Sequence, residues 1–328
     1  GPDQIWHISY PGGAAQRIIS DSKNYHNISL TADSQTLVAV QTELHSSIWV
    51  APDAGAGESR KVTFGTGSYG EACYAPDGRI IYTSQASGNW DIWTMNADGS
   101  DRKQLTADAG VNLNQAVSPD GRFIVFASNR AGVFNIWRMN SDGSNLLRLT
   151  SRGGEKYPHC SPDGKWVVYN SVDPQESLYS LWKVSVDGGE PVKLTDRDCE
   201  RPVVSPDGRH IACFHRDESA DRQYRVEVIP FAGGQPVRTF AIPREIAPLP
   251  YVHWWPDGRA LTYAAARDGI SNMWIQPLGG GLAKQMTEFK AEGRILFDWS
   301  RDGKQLVFSR RVWTSDLVLL RFFAPDRT

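Results

Sequence analysis

Two histidines and one aspartate, His159, His253 and Asp298, occupy the same position in three separate copies of a repeated sequence. Each lies four residues before the Asp of an Asp-Gly turn. Two imidazoles and a carboxylate form a ligand set that transition metals accept. The three side chains would have to converge from non-adjacent repeats, however, and a solvated or hydrogen-bonded histidine is far commoner than a metal ligand. We therefore predict no metal and no cofactor.

The motifs of common catalytic sites give no positive signal. The chain has no Asp-Phe-Gly segment and no Gly-x-Ser-x-Gly elbow. Serines that precede the repeated turns, such as Ser118 and Ser161, are interpreted as turn residues. Glu71, Glu200 and Asp298 do not form an evident carboxylate pair for glycan chemistry. We predict no catalytic residues and a protein that is not an enzyme.

The four cysteines, Cys73, Cys160, Cys199 and Cys213, include no Cys-x-x-Cys pair. Cys199 and Cys213 belong to one repeat, but the residue expected opposite Cys213 is Arg201. A diagonal neighbour on an adjacent strand is usually too distant for a disulfide. We therefore expect free thiols.

Two rows of residues on the repeats could form a binding surface. The first row, six residues before each turn Asp, holds Asn27, Glu71, Asn114, Tyr157, Arg201, Tyr251 and Leu296. The second row, four residues before each turn Asp, holds Ser29, Cys73, Ala116, His159, Val203, His253 and Asp298. Residues two apart on a strand share a face, so both rows should line one surface. Their variation from repeat to repeat suits an asymmetric binding site, although drift in a water-filled channel would give the same pattern.

Composition and charge exclude several kinds of partner. Thirty-five Lys and Arg against 37 Asp and Glu give a formal charge of -2, so no overall field attracts nucleic acid or an anionic bilayer. Hydrophobic residues make up 40% of the chain, and no run approaches the roughly 18 apolar residues that cross a membrane. We predict no nucleic-acid partner and no direct membrane insertion.

Internal repeats determine the expected architecture. Pro-Asp-Gly begins at Pro76, Pro119, Pro162, Pro206 and Pro256. Degenerate copies around Asp33 and Asp302 extend the series, with Asp-to-Asp steps of 44, 43, 43, 44, 50 and 45 residues. Tryptophans keep the same period at Trp6, Trp49, Trp93, Trp137 and Trp182. This period is typical of a solenoid or a propeller.

Each repeat reads as one small sheet. Residues 114–150, for example, contain four short apolar runs separated by turn signals. Pro-Asp-Gly would join the first and second strands, and a later Asp-Gly or Gly-Gly turn would join the third and fourth. One such sheet cannot bury both of its faces, whereas sheets stacked radially cover one another. We therefore predict an all-β propeller.

The repeat also resembles a known family. The pattern Ser-Pro-Asp-Gly-[Arg/Lys]-x-[Ile/Val]-x-[Phe/Tyr]-x-Ser, followed by [Ile/Leu]-Trp and later by Leu-Thr, resembles the TolB-like (WD-like) β-propeller repeat over about residues 5–323. The terminal repeats are similar to the C-terminal propeller of bacterial multidomain sensor or kinase proteins. The resemblance implies a sensor module in signal transduction that is part of a larger bacterial protein. It implies a periplasmic or extracellular location, with a cytoplasmic one left open.

The hairpin count sets the predicted closure. Seven first-and-second-strand hairpins predict one domain over residues 1–328, a propeller of seven four-stranded antiparallel blades. The predicted blades are 24–66, 67–110, 111–153, 154–197, 198–246, 247–290, and 291–323 completed by 3–23. Gln16–Ile19 resemble a fourth strand, so the N-terminal segment is expected to close the ring. Either of two segments, Ile5–Ile8 or Leu317–Leu320, could form the third strand of the closing blade.

Binding in propellers is usually located at the channel mouth, where the loops leading to the innermost strands converge. The predicted ligand- or partner-binding residues are Glu71, Asn114, Tyr157, His159, Arg201, Tyr251, His253 and Asp298. We predict a monomeric, non-catalytic module that binds a protein or peptide, with a small ligand as a further possibility. A hydrolase or lyase acting at the channel mouth and a purely structural spacer are the alternatives.

Overall fold

The computed structural model describes residues 5–9, 11–19, 23–32, 35–52, 57–64, 67–107, 110–172, 178–216, 224–242 and 247–321, and its regular elements are strands. In chain order they are β1 (Trp6–Ile8), β2 (Ala15–Arg17), β3 (Asn24–Leu30), β4 (Thr36–Ala51), β5 (Arg60–Lys61), β6 (Tyr69–Tyr74), β7 (Ile80–Ser84), β8 (Asp91–Met95), β9 (Lys103–Gln104), β10 (Asn112–Val117), β11 (Phe123–Ser128), β12 (Asn135–Asn140), β13 (Leu147–Arg148), β14 (Glu155–Cys160), β15 (Trp166–Val172), β16 (Tyr179–Ser185), β17 (Val192–Lys193), β18 (Glu200–Val204), β19 (His210–Arg216), β20 (Tyr224–Pro230), β21 (Arg238–Ala241), β22 (Ala247–Trp254), β23 (Ala260–Arg267), β24 (Ile270–Pro277), β25 (Lys284–Gln285), β26 (Arg294–Trp299) and β27 (Leu306–Arg321). Within this described part of the chain, no helix is long and apolar enough to cross a membrane.

The chain forms two compact units, one from residues 1–45 with 312–328 and one from residues 46–311. In the first unit, β1 and β2 pair as a separate two-stranded sheet, with Trp6 opposite Arg17. β3 pairs with the first part of β4, and Tyr25 and Leu37 are buried in a small core. The predicted turn at Asp33 lies outside the described residues. The expectation that Gln16–Ile19 complete the last blade is not confirmed, because β2 pairs with β1.

Five sheets of the second unit are contiguous in sequence, four-stranded and antiparallel. They are β6 to β9, β10 to β13, β14 to β17, β18 to β21 and β22 to β25. In the sixth sheet, β26 and residues 306–311 of β27 are joined by residues 46–51 of β4 and by β5. Trp49 of β4 stacks on Phe308 of β27 with ring centroids 6.3 Å apart.

The first strands of these six sheets contact one another in a closed circle, β6, β10, β14, β18, β22, β26 and back to β6. The second unit is therefore a six-bladed propeller, where seven blades were predicted. All seven predicted strand pairs exist, but β3 pairs with β4 in the first unit. The count failed because β4 and β27 are each continuous strands of 16 residues, without the turn that separates the second and third strands in the other repeats.

The Pro-Asp-Gly turns owe their geometry to the Asp side chain. Oδ1 of Asp120 accepts hydrogen bonds from the Ser118 hydroxyl at 2.7 Å and from the Arg122 backbone N–H at 3.0 Å. Gly121 has a φ of 72°, a value that glycine adopts without strain. The Ser118 hydroxyl also accepts from the N–H of Phe123. The serines of these motifs are thus turn residues, as predicted.

The recurring Leu-Thr dipeptide fastens the outer strand of a blade. The hydroxyl of Thr106 accepts a hydrogen bond from the N–H of Ile92 at 2.9 Å, and Thr150 does the same for Ile136. These Thr side chains continue the hydrogen bonding of the third strand just beyond the short fourth strand. They satisfy a buried backbone donor that would otherwise lose its partner.

Cys199 and Cys213 form a disulfide, contrary to the expectation of free thiols. Their Cα atoms are 5.7 Å apart, inside the range that a disulfide spans. The register between β18 and β19 shifts between Glu200 and Val203. Such a bulge bends the strand and increases its twist, which strict alternation does not anticipate. Cys73 and Cys160 are free.

Candidate functional site

A cavity of about 170 Å³ lies among the first strands of the six blades. The structure places all eight residues of the predicted site on its lining: Glu71, Asn114, Tyr157, His159, Arg201, Tyr251, His253 and Asp298. The remaining first-row and second-row residues of the propeller, Cys73, Ala116, Val203 and Leu296, line it as well. Asn27 and Ser29 belong to the first unit.

A β-bulge positions the first row. The pairing of the first and second strands skips Asn114 in β10, Tyr157 in β14 and Arg201 in β18. These three residues have φ values of 55°, 54° and 56°. A left-handed backbone is uncommon for residues as large as Tyr and Arg, and such conformations concentrate at functional sites. The bulges therefore mark the first row as a place where side-chain direction matters more than regular pairing.

Glu71 is the acceptor at the centre of the first row. Asn114 Nδ2 lies 2.8 Å from Glu71 Oε1 and 2.9 Å from Oε2. The hydroxyl of Tyr251 donates to Oε1, and Arg201 Nη1 lies 3.9 Å from the same oxygen. Both carboxylate oxygens thus have a donor, and a guanidinium balances the charge.

Arg201 is held between two aromatic rings. Its Cζ lies 4.0 Å from the ring centroid of Tyr157 and 3.9 Å from that of Tyr251. Nη2 donates to the Tyr157 hydroxyl at 2.9 Å. Stacking on two rings fixes the plane of the guanidinium, and cation–π attraction is larger for a desolvated cation. Burial raises the pKa of Tyr157 to about 12, so this hydroxyl stays protonated beside the cation.

Asn170 supports Arg201 from outside the predicted set. Its Oδ1 accepts from the Arg201 backbone N–H at 2.5 Å, and its Nδ2 donates to the carbonyl of Cys199 at 2.5 Å. The side chain is fully buried in β15. The sequence signal was an amide where the equivalent second-strand residues are Ala127 and Phe214.

The second row ends in a carboxylate beside an imidazole. Asp298 Oδ1 lies 3.4 Å from Nδ1 of His253, and Oδ2 accepts from the backbone N–H of Tyr74 at 3.1 Å. The side chain of Asp298 is 25% exposed and that of His253 is 20% exposed. Burial raises the pKa of Asp298 to about 6, although the N–H groups of Tyr74 and Trp299 act in the opposite direction.

Both second-row histidines are neutral. Burial lowers the pKa of His159 to about 4. Burial, together with the neighbouring His159, lowers the pKa of His253 to about 3. Nδ1 of His159 accepts from the backbone N–H of Val204 at 3.3 Å, which places the ring proton on Nε2.

The predicted residues do not assemble into a metal centre. Among the residues that the structure describes, no group of three or more His, Cys, Asp or Glu side chains could hold a metal ion. Nδ1 of His159 already serves a backbone N–H, and Nδ1 of His253 faces Asp298. This donor set does not fit a transition metal in the arrangement observed.

Residues 65–70 match a string associated with nucleotide binding, Gly-x-Gly-x-x-Gly. In nucleotide-binding proteins that spacing follows a strand and opens a helix. Here β6 begins at Tyr69, and the described part of the chain contains no helix. The match therefore carries no nucleotide site.

A six-bladed propeller with a variable polar cavity at its centre defines a class of protein, and comparison gives the family. Residues 42–234, more than half of the chain, match the TolB beta propeller domain. The chain belongs to this family.

Solved structures share the propeller fold. A TolB structure from Agrobacterium tumefaciens is 18% identical with a TM-score of 0.68, over 82% of this chain and 99% of that one. An oligogalacturonate lyase in complex with manganese is 13% identical with a TM-score of 0.51, over 92% of this chain and 78% of that one. At these identities the two structures share the fold alone.

A curated relative is closer in sequence. The uncharacterized protein Atu1656 of Agrobacterium fabrum (strain C58) is 34% identical over 169 residues, which are 47% of this chain and 54% of the relative. The match therefore spans about half the length of that relative.

Proposed function

We propose that the propeller is a non-catalytic binding module whose site is the cavity lined by the two rows. Its partner is a protein or peptide segment, or a small ligand of similar chemistry. The observation that carries this proposal is the convergence of eight varied polar side chains on one cavity, with Arg201 oriented by two tyrosines. Tyr and Arg are the commonest binding hot spots because they combine contact area with a polar group. As a sensor, the module would form part of a larger bacterial protein.

A cavity-filling variant tests this proposal. Peptides selected from a random phage-displayed library on the immobilised protein would be measured by fluorescence polarisation. Ala116 lines the cavity, so Ala116→Phe should weaken peptide binding by about tenfold or more. The matched control is Ala131→Phe on an exposed turn, which should leave binding unchanged. Equal binding by both variants would place the site elsewhere, and a selection that enriches no peptide would count against a peptide-binding role.

One observation favours an enzymatic alternative. A carboxyl group with a pKa of about 6 beside an imidazole is suited to general acid–base catalysis near neutral pH. The fold likeness to an oligogalacturonate lyase suggests the substrate to try. A lyase would form a new C=C bond, so incubation with oligogalacturonate should increase the ultraviolet absorbance. Such an increase, together with its loss in His253→Ala, would favour the lyase over the binding module.

The disulfide supports a location outside the cytoplasm. Disulfides persist in oxidising compartments such as the periplasm. We propose that the propeller resides in the periplasm or outside the cell. Thiol labelling of the denatured, unreduced protein should modify Cys73 and Cys160 and leave Cys199 and Cys213 unmodified. Labelling of all four in protein isolated from its native host would contradict the proposal.

A further inference from the structure

The cavity holds two carboxylates in unequal states. Glu71 is contacted by an amide, a phenol and a guanidinium. Asp298 accepts from one backbone N–H of β6 and lies beside the neutral ring of His253. Arg201 is the only Lys or Arg among the described residues that line the cavity, and Tyr157 and Glu71 already engage it. Among the described residues, the cavity lining therefore supplies no cation to balance the charge of Asp298.

The described groups that interact with Asp298 lie mainly on the two neighbouring first strands. They are His253 on β22 and, on β6, the thiol of Cys73 and the backbone N–H and phenol of Tyr74, while the N–H of Trp299 on β26 adds a further donor. None of them carries a positive charge at neutral pH. A carboxylate in this setting gains more from a bound cation than one in water, because the surrounding dielectric is low.

His253 leaves this carboxylate uncompensated. Its Nδ1 lies 3.4 Å from the Asp298 carboxylate, and its ring is neutral. An –NH₃⁺ group would bring both a positive charge and three donors to such a carboxylate. An uncharged alcohol could donate one hydrogen bond but would leave the carboxylate unbalanced.

The volume limits what can enter. A cavity of about 170 Å³ is close in size to engineered cavities of about 150 Å³ that bind benzene. An aliphatic amine of four or five carbons, or one lysine side chain, is of that order.

We propose that the second-row end of the cavity binds a protonated primary amine, with the ammonium on the carboxylate of Asp298. This inference rests on the proposed function, since it names the ligand chemistry of the same cavity. The amine is either a free small molecule or the lysine side chain of a partner, and the chemistry of recognition is the same.

Calorimetry with defined probes tests the inference. The first pair is n-butylammonium and neutral n-butanol; the second is capped lysine (Nα-acetyl-lysine amide) and capped norleucine. Each ammonium should bind about tenfold or more tightly than its neutral counterpart, and Asp298→Asn should remove the difference. Exposed Asp196→Asn, which changes the net charge equally, should not. Tighter binding of butylammonium would identify a free amine as the ligand, and tighter binding of capped lysine a partner side chain.

Three results would overturn the inference. They are equal binding of charged and neutral probes, unchanged ammonium binding in Asp298→Asn, and displacement of the ammonium by micromolar Mn²⁺ or Zn²⁺. If the selected peptides bind in the cavity but show no preference for lysine over norleucine, the amine inference fails while the binding module stands. If butylammonium binds through Asp298 but no peptide is enriched, the amine inference stands and the peptide-binding role fails.

Discussion

The first and second rows of the cavity each contain a partly buried carboxylate, and they differ in the groups that surround it. In the first row, Arg201 lies 3.9 Å from Glu71, Asn114 and Tyr251 donate to the Glu71 carboxylate, and Tyr157 accepts from Nη2 of Arg201. In the second row, Asp298 stands beside a histidine that burial keeps neutral. The two carboxylates have similar exposure, 19% for Glu71 and 25% for Asp298. Burial alone therefore does not separate them.

The difference lies in the partners, and it assigns the rows different roles. A buried charge that is paired and hydrogen-bonded is costly to disturb. A buried charge without a counter-charge costs stability and is relieved by protonation or by a ligand. The first-row residues Glu71, Asn114, Tyr157, Arg201 and Tyr251 therefore form a rigid cluster, which we call the clamp. The second row is the part of the cavity that can respond to a bound ligand. Four changes would break or sharpen this comparison.

Removing the clamp cation should have the largest effect. Arg201→Ala leaves Glu71 buried without a cation and unstacks two tyrosines, so the free energy of unfolding in urea should fall by about 3 kcal/mol or more. Arg201→Lys keeps the charge but not the stacked plane and should lose less. Exposed Arg209→Ala is the control. An Arg201→Ala protein as stable as Arg209→Ala would mean that the first row is not a clamp.

The second-row histidines should make the propeller sensitive to acid. Unfolded histidine has a pKa of about 6.5, whereas the pKa of His159 in the folded protein is about 4. As the pH falls through this interval the unfolded chain binds a proton that the folded one does not, so stability is present above pH 6.5 and lost towards pH 4. In urea unfolding, the free energy of unfolding that is lost between pH 7.5 and pH 4 should be smaller in His159→Gln than in the unchanged protein, by up to about 3 kcal/mol. A profile identical to that of the exposed His7→Gln control would refute the assignment.

Asp298 should act in the opposite direction. Its folded pKa of about 6 lies above its ordinary value of 3.8, so its stabilising protonated form is fully present below pH 4 and lost as the pH rises through 6. Asp298→Asn should therefore stabilise the protein at pH 8 by about 2 kcal/mol, allowing for partial exposure, and have little effect at pH 3.5. Thermal unfolding at both pH values checks this against Asp196→Asn. Destabilisation at pH 8 would show that Asp298 has a counter-charge after all.

The smallest effect should come from one hydroxyl. Tyr157→Phe removes the acceptor of Arg201 Nη2 but keeps the stacked ring, and should cost about 1 kcal/mol. Tyr224→Phe, remote from the cavity lining, serves as the control in the same urea measurements. A loss as large as that of Arg201→Ala would mean that the hydrogen bond, rather than the stacking and the ion pair, holds the clamp.

Much of this arrangement follows from the sequence because the Asp of each turn is a fixed reference point from which strand positions can be counted. Counting back from Asp163 or Asp257 reaches equivalent strand positions, and the ring brings equivalent positions together. The paired strands and the cavity lining could therefore be predicted. The contacts between first-row residues could not, because Glu71 meets Asn114, Arg201 and Tyr251 across separate blades and the repeat does not encode those distances.

The number of blades and the disulfide were predicted wrongly, and in each case the reason is a local feature of the chain. The blade count depended on a turn inside β4 and β27, yet polar stretches such as Thr42–His45 carry no Gly or Pro to enforce one. The disulfide was missed because a diagonal neighbour was taken to be too distant, whereas next to the bulge at Arg201 the Cα atoms of Cys199 and Cys213 are 5.7 Å apart. In both cases a single residue inserted or a single turn omitted changes which segments meet.

The bulges also bear on how this scaffold can diversify. Asn114, Tyr157 and Arg201 lie outside the ladder pairs, whereas their second-row neighbours Ala116 and His159 are paired with Val125 and Val168. A substitution at a bulged position alters what the cavity presents without changing a cross-strand pair. At Asn114 the backbone φ of 55° and the hydrogen bonds to both Glu71 oxygens limit the choice, so a directed-evolution library at this position should be dominated by residues that tolerate a left-handed backbone, such as Asn, His and Gly.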